Sequence, residues 1–184
     1  TWIDATKAYY YSFDQKNNCV NLNLLDINAN NIKKVTSVPS NAENHTITLP
    51  SLKVAYTIEN NLYFADGEKH VQVTDNPENV VAGQSVHRNE FAINGGIFWS
   101  PDGNKLAYYN MDESMVTDYP LVDITERVAT AKPIKYPMAG MKSHEVKLHV
   151  YDVASGNDLM IKTGEPAEQY LTSITWNPDN ERVY

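Results

Sequence analysis

The chain has 184 residues, of which 42% are hydrophobic and 21% charged, and a formal net charge of −8. This composition is ordinary for a globular domain with a sizeable core. The negative charge argues against a nucleic-acid surface, which needs clustered lysines and arginines to neutralise phosphates. There is no run of about 18 apolar residues that would span a membrane. The single Cys19 excludes an internal disulfide and a cysteine-based zinc site.

Short strands of alternating pattern, closed by turn residues, follow one another along the chain. Turn formers at 28–30, 66–67 and 155–157 each separate two such strands, which is the pattern of a β-hairpin. No comparable helical stripe is present. The predicted strands lie at 7–10, 20–25, 32–35, 53–56, 62–64, 70–73, 105–108, 148–151 and 159–161.

One hairpin motif occurs twice in the chain with the same spacing of residues. Residues 99–103 are Trp-Ser-Pro-Asp-Gly and residues 176–180 are Trp-Asn-Pro-Asp-Asn, and each turn leads into a strand that ends in an aromatic residue. The basic residues that open the second strands, Lys7, Lys53 and Lys105, lie about 50 residues apart, close to the period of four-stranded propeller blades. Arg182 opens a further copy after a longer interval, and we predict that an irregular stretch at 110–145 accounts for the excess.

These repeats predict an all-β fold, an arc of about three to four four-stranded β-propeller blades. Three blades and an opening hairpin do not close a ring, and propellers protect their strand edges by closure. The chain also starts at Thr1 without a methionine and stops at Tyr184 within a strand that lacks a partner. We therefore expect residues 1–184 to be one partial propeller, a fragment of a larger one with missing blades on both sides.

Several short motifs occur in a fixed order between residues 86 and 153. They are Glu-Phe at 90–91, Trp-Ser-Pro-Asp-Gly at 99–103, Leu-Ala-Tyr at 106–108, Pro-Leu-Val-Asp at 120–123 and Tyr-Pro-Met-Ala-Gly at 136–140. The ordered set resembles the N-terminal propeller of the dipeptidyl peptidase IV family. The run His-Arg-Asn-Glu-Phe at 87–91, taken with 136–140, is most similar to the bacterial prolyl tripeptidyl aminopeptidase branch.

This resemblance implies an eight-bladed propeller that gates the chamber of a C-terminal α/β-hydrolase domain in the same polypeptide. The parent protein would be a serine-type peptidase that releases dipeptides or tripeptides from substrates with a free N-terminus and a proline near it. The resemblance further implies a periplasmic or secreted protein that forms a homodimer.

The sequence contains no catalytic serine motif of its own. A nucleophile elbow needs Gly-x-Ser-x-Gly, and the nearest string, at 83–87, ends in His87 instead of glycine. Ser85 is therefore interpreted as part of a polar loop, and Ser143-His144 as a turn. The five histidines show no spacing suited to a metal. We expect no catalytic residue, no metal and no cofactor in this chain, and no hydrolysis by the chain alone.

Glu90 is the candidate for binding the substrate N-terminus. An exopeptidase must recognise the free α-ammonium group, and a fixed carboxylate does so through a charge-assisted hydrogen bond. In the resembling family two adjacent glutamates have this role, and here the pair has become Asn89-Glu90. Asn89 and Arg88 are further candidates, Arg88 as a partner of Glu90 or of a substrate carbonyl. The alternative is that Glu90 is an ordinary solvated acid.

The stretch at 110–145 is a second functional candidate, because loops of this length inside a compact domain are usually functional. In the resembling family an arm at this place packs against a second subunit, which would correspond to residues 113–141. The alternative is an apolar loop folded over its own blade. Two other functions also stay open: a propeller that only binds protein partners, and the propeller of an oligopeptidase, which would not need Glu90.

Overall fold

The computed structural model describes residues 1–49 and 51–184, with the side chain of Arg88 outside the described part. Within these residues the regular structure consists of β-strands and one short 3-10 helix, which confirms the all-β prediction. No helix among them is long and apolar enough to cross a membrane. The strands form successive antiparallel sheets in chain order, as the blade repeat requires.

The first blade contains β1 (Lys7–Asp14), β2 (Cys19–Asp26) and β3 (Asn31–Pro39), paired in that order. The strand position that precedes β1 in the repeat is reduced to one antiparallel bridge between Trp2 and Ala8. The blade therefore keeps the predicted rhythm with a shortened first strand.

The second blade is a complete four-stranded sheet. Lys53, predicted to open its second strand, directly precedes that strand in the structure. The strands, which pair in chain order, are β4 (Glu43–Ile47), β5 (Val54–Ile58), β6 (Asn61–Asp66) and β7 (Lys69–Gln72).

The third blade is built around β10 (Lys105–Asp112), which pairs along its whole length with β13 (Glu145–Asp152). β14 (Asp158–Met160) completes that side. The other edge of β10 is shared by two short strands, β8 (Val80–Ala82) and β9 (Ile97–Trp99). Between β8 and β9 the chain leaves the sheet in a loop that contains the 3-10 helix, His87–Ala92.

The alternation of side chains along the central strands gives the second and third blades two buried faces each. On β10, Leu106 and Tyr108 pack toward the second blade, whereas Ala107 and Tyr109 pack on the opposite face. All four are at most 1% exposed. The hydrophobic core therefore lies in the seams between blades, as expected for a propeller.

Two hydrogen bonds recur in the same register from one seam to the next. In the first bond, the lysine at the start of a blade's second strand donates to a backbone carbonyl in the turn of the next repeat. In the other bond, the tryptophan of that next repeat donates to a backbone carbonyl in the first strand of the blade that carries the lysine. The bonds are Lys53 Nζ to Gly103 O at 2.9 Å, Lys105 Nζ to Asn180 O at 2.9 Å, Trp99 Nε1 to Thr46 O at 3.4 Å and Trp176 Nε1 to Phe98 O at 2.9 Å. They explain why these residues repeat in the sequence, and an antiparallel bridge between Trp176 and Val183 marks the predicted second hairpin.

The excursion that follows β10 is a hairpin, so its prediction as irregular structure was wrong. β11 (Asp118–Asp123) pairs with β12 (Thr130–Lys135), with Pro120 opposite Pro133. Proline is excluded from central strands but tolerated on edge strands, and a two-stranded ribbon consists of edges alone. The hairpin projects from its blade, since nearly all residues of both strands are exposed.

Candidate functional site

The loop between β8 and β9 is closed at its neck by one residue of β10. The backbone N–H of Gly83 donates to Tyr109 O at 2.8 Å, and the N–H of Tyr109 donates to Gly96 O at 3.0 Å. The two arms of the loop meet so closely that a Cβ at Gly96 would lie 2.0 Å from the Gln84 carbonyl oxygen. Position 96 therefore admits only glycine without a backbone shift.

Above the neck, Val86 and Ile93 anchor the two ends of the 3-10 helix. They are 1% and 5% exposed and belong to the same core cluster as Tyr109. The helix thus stands on an apolar base that is continuous with the blade. Glu90, on the helix, remains exposed to solvent.

The backbone of this segment adopts left-handed conformations at non-glycine residues. His87, Asn89, Phe91 and Ala92 have φ values of 50°, 60°, 52° and 60°. Such conformations persist only when the surrounding structure holds them, and they cluster at functional sites. Ser85 supplies one restraint, because its hydroxyl lies 2.7 Å from Asn89 Oδ1 and 2.5 Å from Ile93 O.

Glu90 is contacted by a tyrosine from a distant part of the chain. The hydroxyl of Tyr170 donates a hydrogen bond to Glu90 Oε2 at 2.9 Å. The Tyr170 ring lies against His87, with ring centroids 4.2 Å apart, and edge-on to Phe91 at 5.2 Å. The next residue, Leu171, accepts a hydrogen bond through its carbonyl from the Tyr109 hydroxyl at 2.7 Å.

Two histidines meet beneath the helix. The backbone N–H of His87 donates to His144 Nε2 at 3.2 Å, and His87 Nδ1 lies 3.1 Å from the same atom. Burial, reinforced by His144 and opposed by Glu90, lowers the pKa of His87 to about 4. His87 is therefore neutral at neutral pH and adds no positive charge next to Glu90.

These groups line a half-open cavity of about 150 Å³. The base of the projecting hairpin reaches this cavity, so the two functional candidates of the sequence meet at one place. Among the residues that the structure describes, no three His, Cys, Asp or Glu side chains converge as metal ligands. The lining residues are His87, Glu90, Tyr136, Pro137, Ser143, His144 and Tyr170.

The sequence-predicted site residues have different placements. Glu90 lines the cavity, whereas the side chain of Asn89 is engaged by Ser85. The side chain of Arg88 lies outside the described part of the chain. Sequence reasoning missed Tyr170 and the His144 contact, which lie 80 and 57 residues from their partners and follow no spacing rule.

The family model described as the dipeptidyl peptidase IV (DPP IV) N-terminal region matches residues 2–184. Two similar fungal proteins are named "Probable dipeptidyl-aminopeptidase B". That of Podospora anserina is 31% identical over 144 residues, which cover 67% of this chain and 16% of the relative. That of Pyrenophora tritici-repentis is 29% identical over 178 residues, with 82% and 20% covered. The chain spans a fifth or less of the length of these relatives.

Two crystal structures extend the comparison. A protein of Bacteroides ovatus, assigned as a dipeptidyl aminopeptidase IV, is 44% identical with a TM-score of 0.83, and the match covers 100% of this chain and 24% of that one. Dipeptidyl peptidase 4 of Porphyromonas gingivalis is 23% identical with a TM-score of 0.75, covering 95% and 26%, and supports the fold alone. The similarity to this family covers residues 2–184, whereas the short sequence motifs lie only between residues 86 and 153. The chain belongs to the dipeptidyl peptidase IV N-terminal region family.

Proposed function

We propose that this chain is the non-catalytic propeller part of a serine exopeptidase and that Glu90 binds the free N-terminus of the peptide substrate. In this proposal the rest of the polypeptide supplies a C-terminal α/β-hydrolase domain, and the propeller gates access to its chamber. The enzyme releases dipeptides, or tripeptides as in the branch that residues 87–91 resemble, from substrates with a proline near the N-terminus. A periplasmic or secreted location belongs to the same proposal.

The observation that carries the proposal is an exposed carboxylate on a rigidly held loop. The neck at Tyr109, the apolar anchors and the left-handed backbone together fix where Glu90 stands. An ordinary solvated acid needs none of these restraints. The α-ammonium of a peptide has a reference pKa of about 7.7 to 8.0, so it is mostly charged at neutral pH and can pair with such a carboxylate.

The Glu90→Gln variant of the full-length enzyme tests this role. The substitution keeps the size of the side chain and one acceptor oxygen but removes the charge. We expect kcat/KM for a proline-containing nitroanilide with a free N-terminus to fall about thirtyfold, the lower end of the cost of breaking a charged pair.

The control is the same nitroanilide with an acetylated amino group. Because this substrate has no charge for Glu90 to recognise, the variant and the unaltered enzyme should turn it over at similar rates. Equal losses for both substrates, or no loss for either, would show that Glu90 is an ordinary surface acid.

We also propose that the β11–β12 hairpin contacts a second subunit in a homodimer. Six large apolar side chains of the hairpin are exposed to solvent, and apolar surface of this kind favours contact with another protein. A cross-strand ion pair, Lys135 Nζ to Asp118 Oδ1 at 3.0 Å, stabilises the ribbon without covering them. The exposed apolar residues are Tyr119, Leu121, Val122, Ile124, Val128 and Ile134.

A further inference from the structure

An exposed glutamate has several rotatable bonds, so a carboxylate that is to mark a fixed point must be held by a neighbour. Tyr170 is that neighbour, since its hydroxyl donates to Glu90 Oε2 at 2.9 Å. We propose that Tyr170 is a positioning residue, which orients the Glu90 carboxylate toward the substrate amino group. This inference rests on the proposed function of Glu90.

The tyrosine ring contacts two other rings, both on the 3-10 helix that carries Glu90. It lies against the buried His87, with centroids 4.2 Å apart, and the edge of Phe91 is 5.2 Å away. The backbone next to it is fixed by the Tyr109 hydroxyl, which donates to Leu171 O at 2.7 Å. Tyr109 is only 1% exposed and also closes the neck of the Glu90 loop. One core residue therefore sets the position of both the carboxylate and its hydrogen-bond donor.

A phenol suits this role better than a cation would. A carboxylate has about four acceptor sites, so one hydrogen bond from Tyr170 to Oε2 leaves the others for an incoming ammonium group. Lysine or arginine in the same place would neutralise the charge that the substrate must meet. The hydrogen bond to Glu90 raises the pKa of Tyr170 above its usual value, which keeps the hydroxyl a protonated donor.

A double-mutant cycle in the full-length enzyme tests the inference. The variants are Tyr170→Phe, Glu90→Gln and their combination, each assayed with a proline-containing nitroanilide that the enzyme cleaves and with its acetylated form. Phenylalanine keeps the ring contacts and removes only the hydroxyl. Tyr10→Phe, on the distant β1, is the control for tyrosine replacement in general.

We expect Tyr170→Phe to lower kcat/KM for the free-amine substrate about three- to tenfold, mainly through KM, since the lost hydrogen bond is exposed to solvent and its loss has a modest cost. It should leave turnover of the acetylated substrate unchanged and have a smaller effect once Glu90 is glutamine, which keeps an acceptor oxygen for the hydroxyl but lacks the charge that the hydroxyl orients. Such non-additivity is the signature of two residues that act together, and a merely structural role would not produce it.

Two results would overturn the inference, and they can be told apart. If Glu90→Gln shows the amine-dependent loss but Tyr170→Phe has no effect, acts equally on both substrates, or adds fully to Glu90→Gln, the positioning role fails alone. If Glu90→Gln shows no amine-dependent loss, the proposed function fails, and the positioning role fails with it.

Discussion

At the scale of single residues, the site depends on a glycine that carries no functional group. The Cβ of any other residue at position 96 would overlap the Gln84 backbone, its nearest atom being 2.0 Å away. A peptide group cannot rotate away as a flexible side chain can. The two arms of the Glu90 loop would have to separate at their neck.

We therefore expect Gly96→Ala to displace Glu90 and to lower kcat/KM of the full-length enzyme for free-amine substrates about 10- to 100-fold, the range for a misplacement near 1 Å. The matched control is Gly95→Ala, because a Cβ there meets nothing within 4 Å. Steady-state kinetics of the two variants measure the difference. Similar activity of both would contradict the role given to the neck.

The sequence indicates Glu90 as a candidate but does not indicate Tyr170 or Gly96, and the reason is physical. Glu90 stands in a motif that is contiguous along the chain, so it could be recognised from sequence. Tyr170 contributes through a hydrogen bond that forms only after the third blade and the following segment have packed together. The requirement for glycine at position 96 likewise comes from a contact across the loop, which no local pattern records.

At the scale of elements, alternation and turn residues predicted most of the blade strands, because in the first two blades each strand pairs with its neighbour in sequence. They did not predict β4 or β8, and in the third blade β10 pairs with β8 and β13, which are not its neighbours in sequence. The β11–β12 hairpin was not predicted, because the stretch at 110–145 interrupts the blade repeat and was expected to be irregular; in the structure Pro120 and Pro133 lie opposite each other in it. Both strands of a two-stranded ribbon are edge strands, so a proline can lie where its missing N–H would have faced solvent and no hydrogen bond between the strands is lost. The same openness leaves the apolar residues of the hairpin uncovered.

The hairpin leads to a prediction about assembly. Val122→Asp and Ile124→Asp, at residues that are 69% and 80% exposed, should convert the full-length protein from dimer to monomer by placing charges in an apolar contact. These positions are preferable to a deletion of 113–141, because Tyr136 and Pro137 line the Glu90 cavity.

Light scattering or sedimentation gives the mass of each variant. Glu126→Ala, within the turn of the same hairpin, is the control and should leave the dimer intact. A dimer that survives both aspartate substitutions, or an unaltered protein that is monomeric, would count against the hairpin as a subunit contact.

At the scale of the whole molecule, the lysine and tryptophan bonds tie the second blade to the third, and the third blade to the segment that follows it. Lys53 is the most buried of these lysines, 9% exposed, and its ammonium group donates to Gly103 O at 2.9 Å. Its removal leaves a buried carbonyl without that donor. In a repeat structure each unit contacts only its neighbours, so the loss of this bond should weaken the interface between the second and third blades.

We expect Lys53→Met to destabilise the protein by about 1 to 3 kcal/mol, the cost of an unsatisfied buried group. Lys7→Met is the matched control: its side chain is 45% exposed and its ammonium lies 3.9 Å from Asp26, so the change should be within about 0.5 kcal/mol. Denaturant unfolding monitored by tryptophan fluorescence compares them. Equal destabilisation by the two substitutions would refute the seam as the source of stability.

The closed neck at Tyr109 has a consequence for how cleavage specificity can change. Because both ends of the loop are tied to one residue, its length can vary between Gln84 and Gly96 without altering the pairing of β8 or β9. Each added residue extends a chain by at most about 3.3 to 3.6 Å, which is also the spacing of residues in an extended peptide substrate. On the proposed function, the length of the loop sets the distance between Glu90 and the bond that is cleaved. One inserted residue in the loop would then be enough to change the release of two residues into the release of three, with the sheet unaltered.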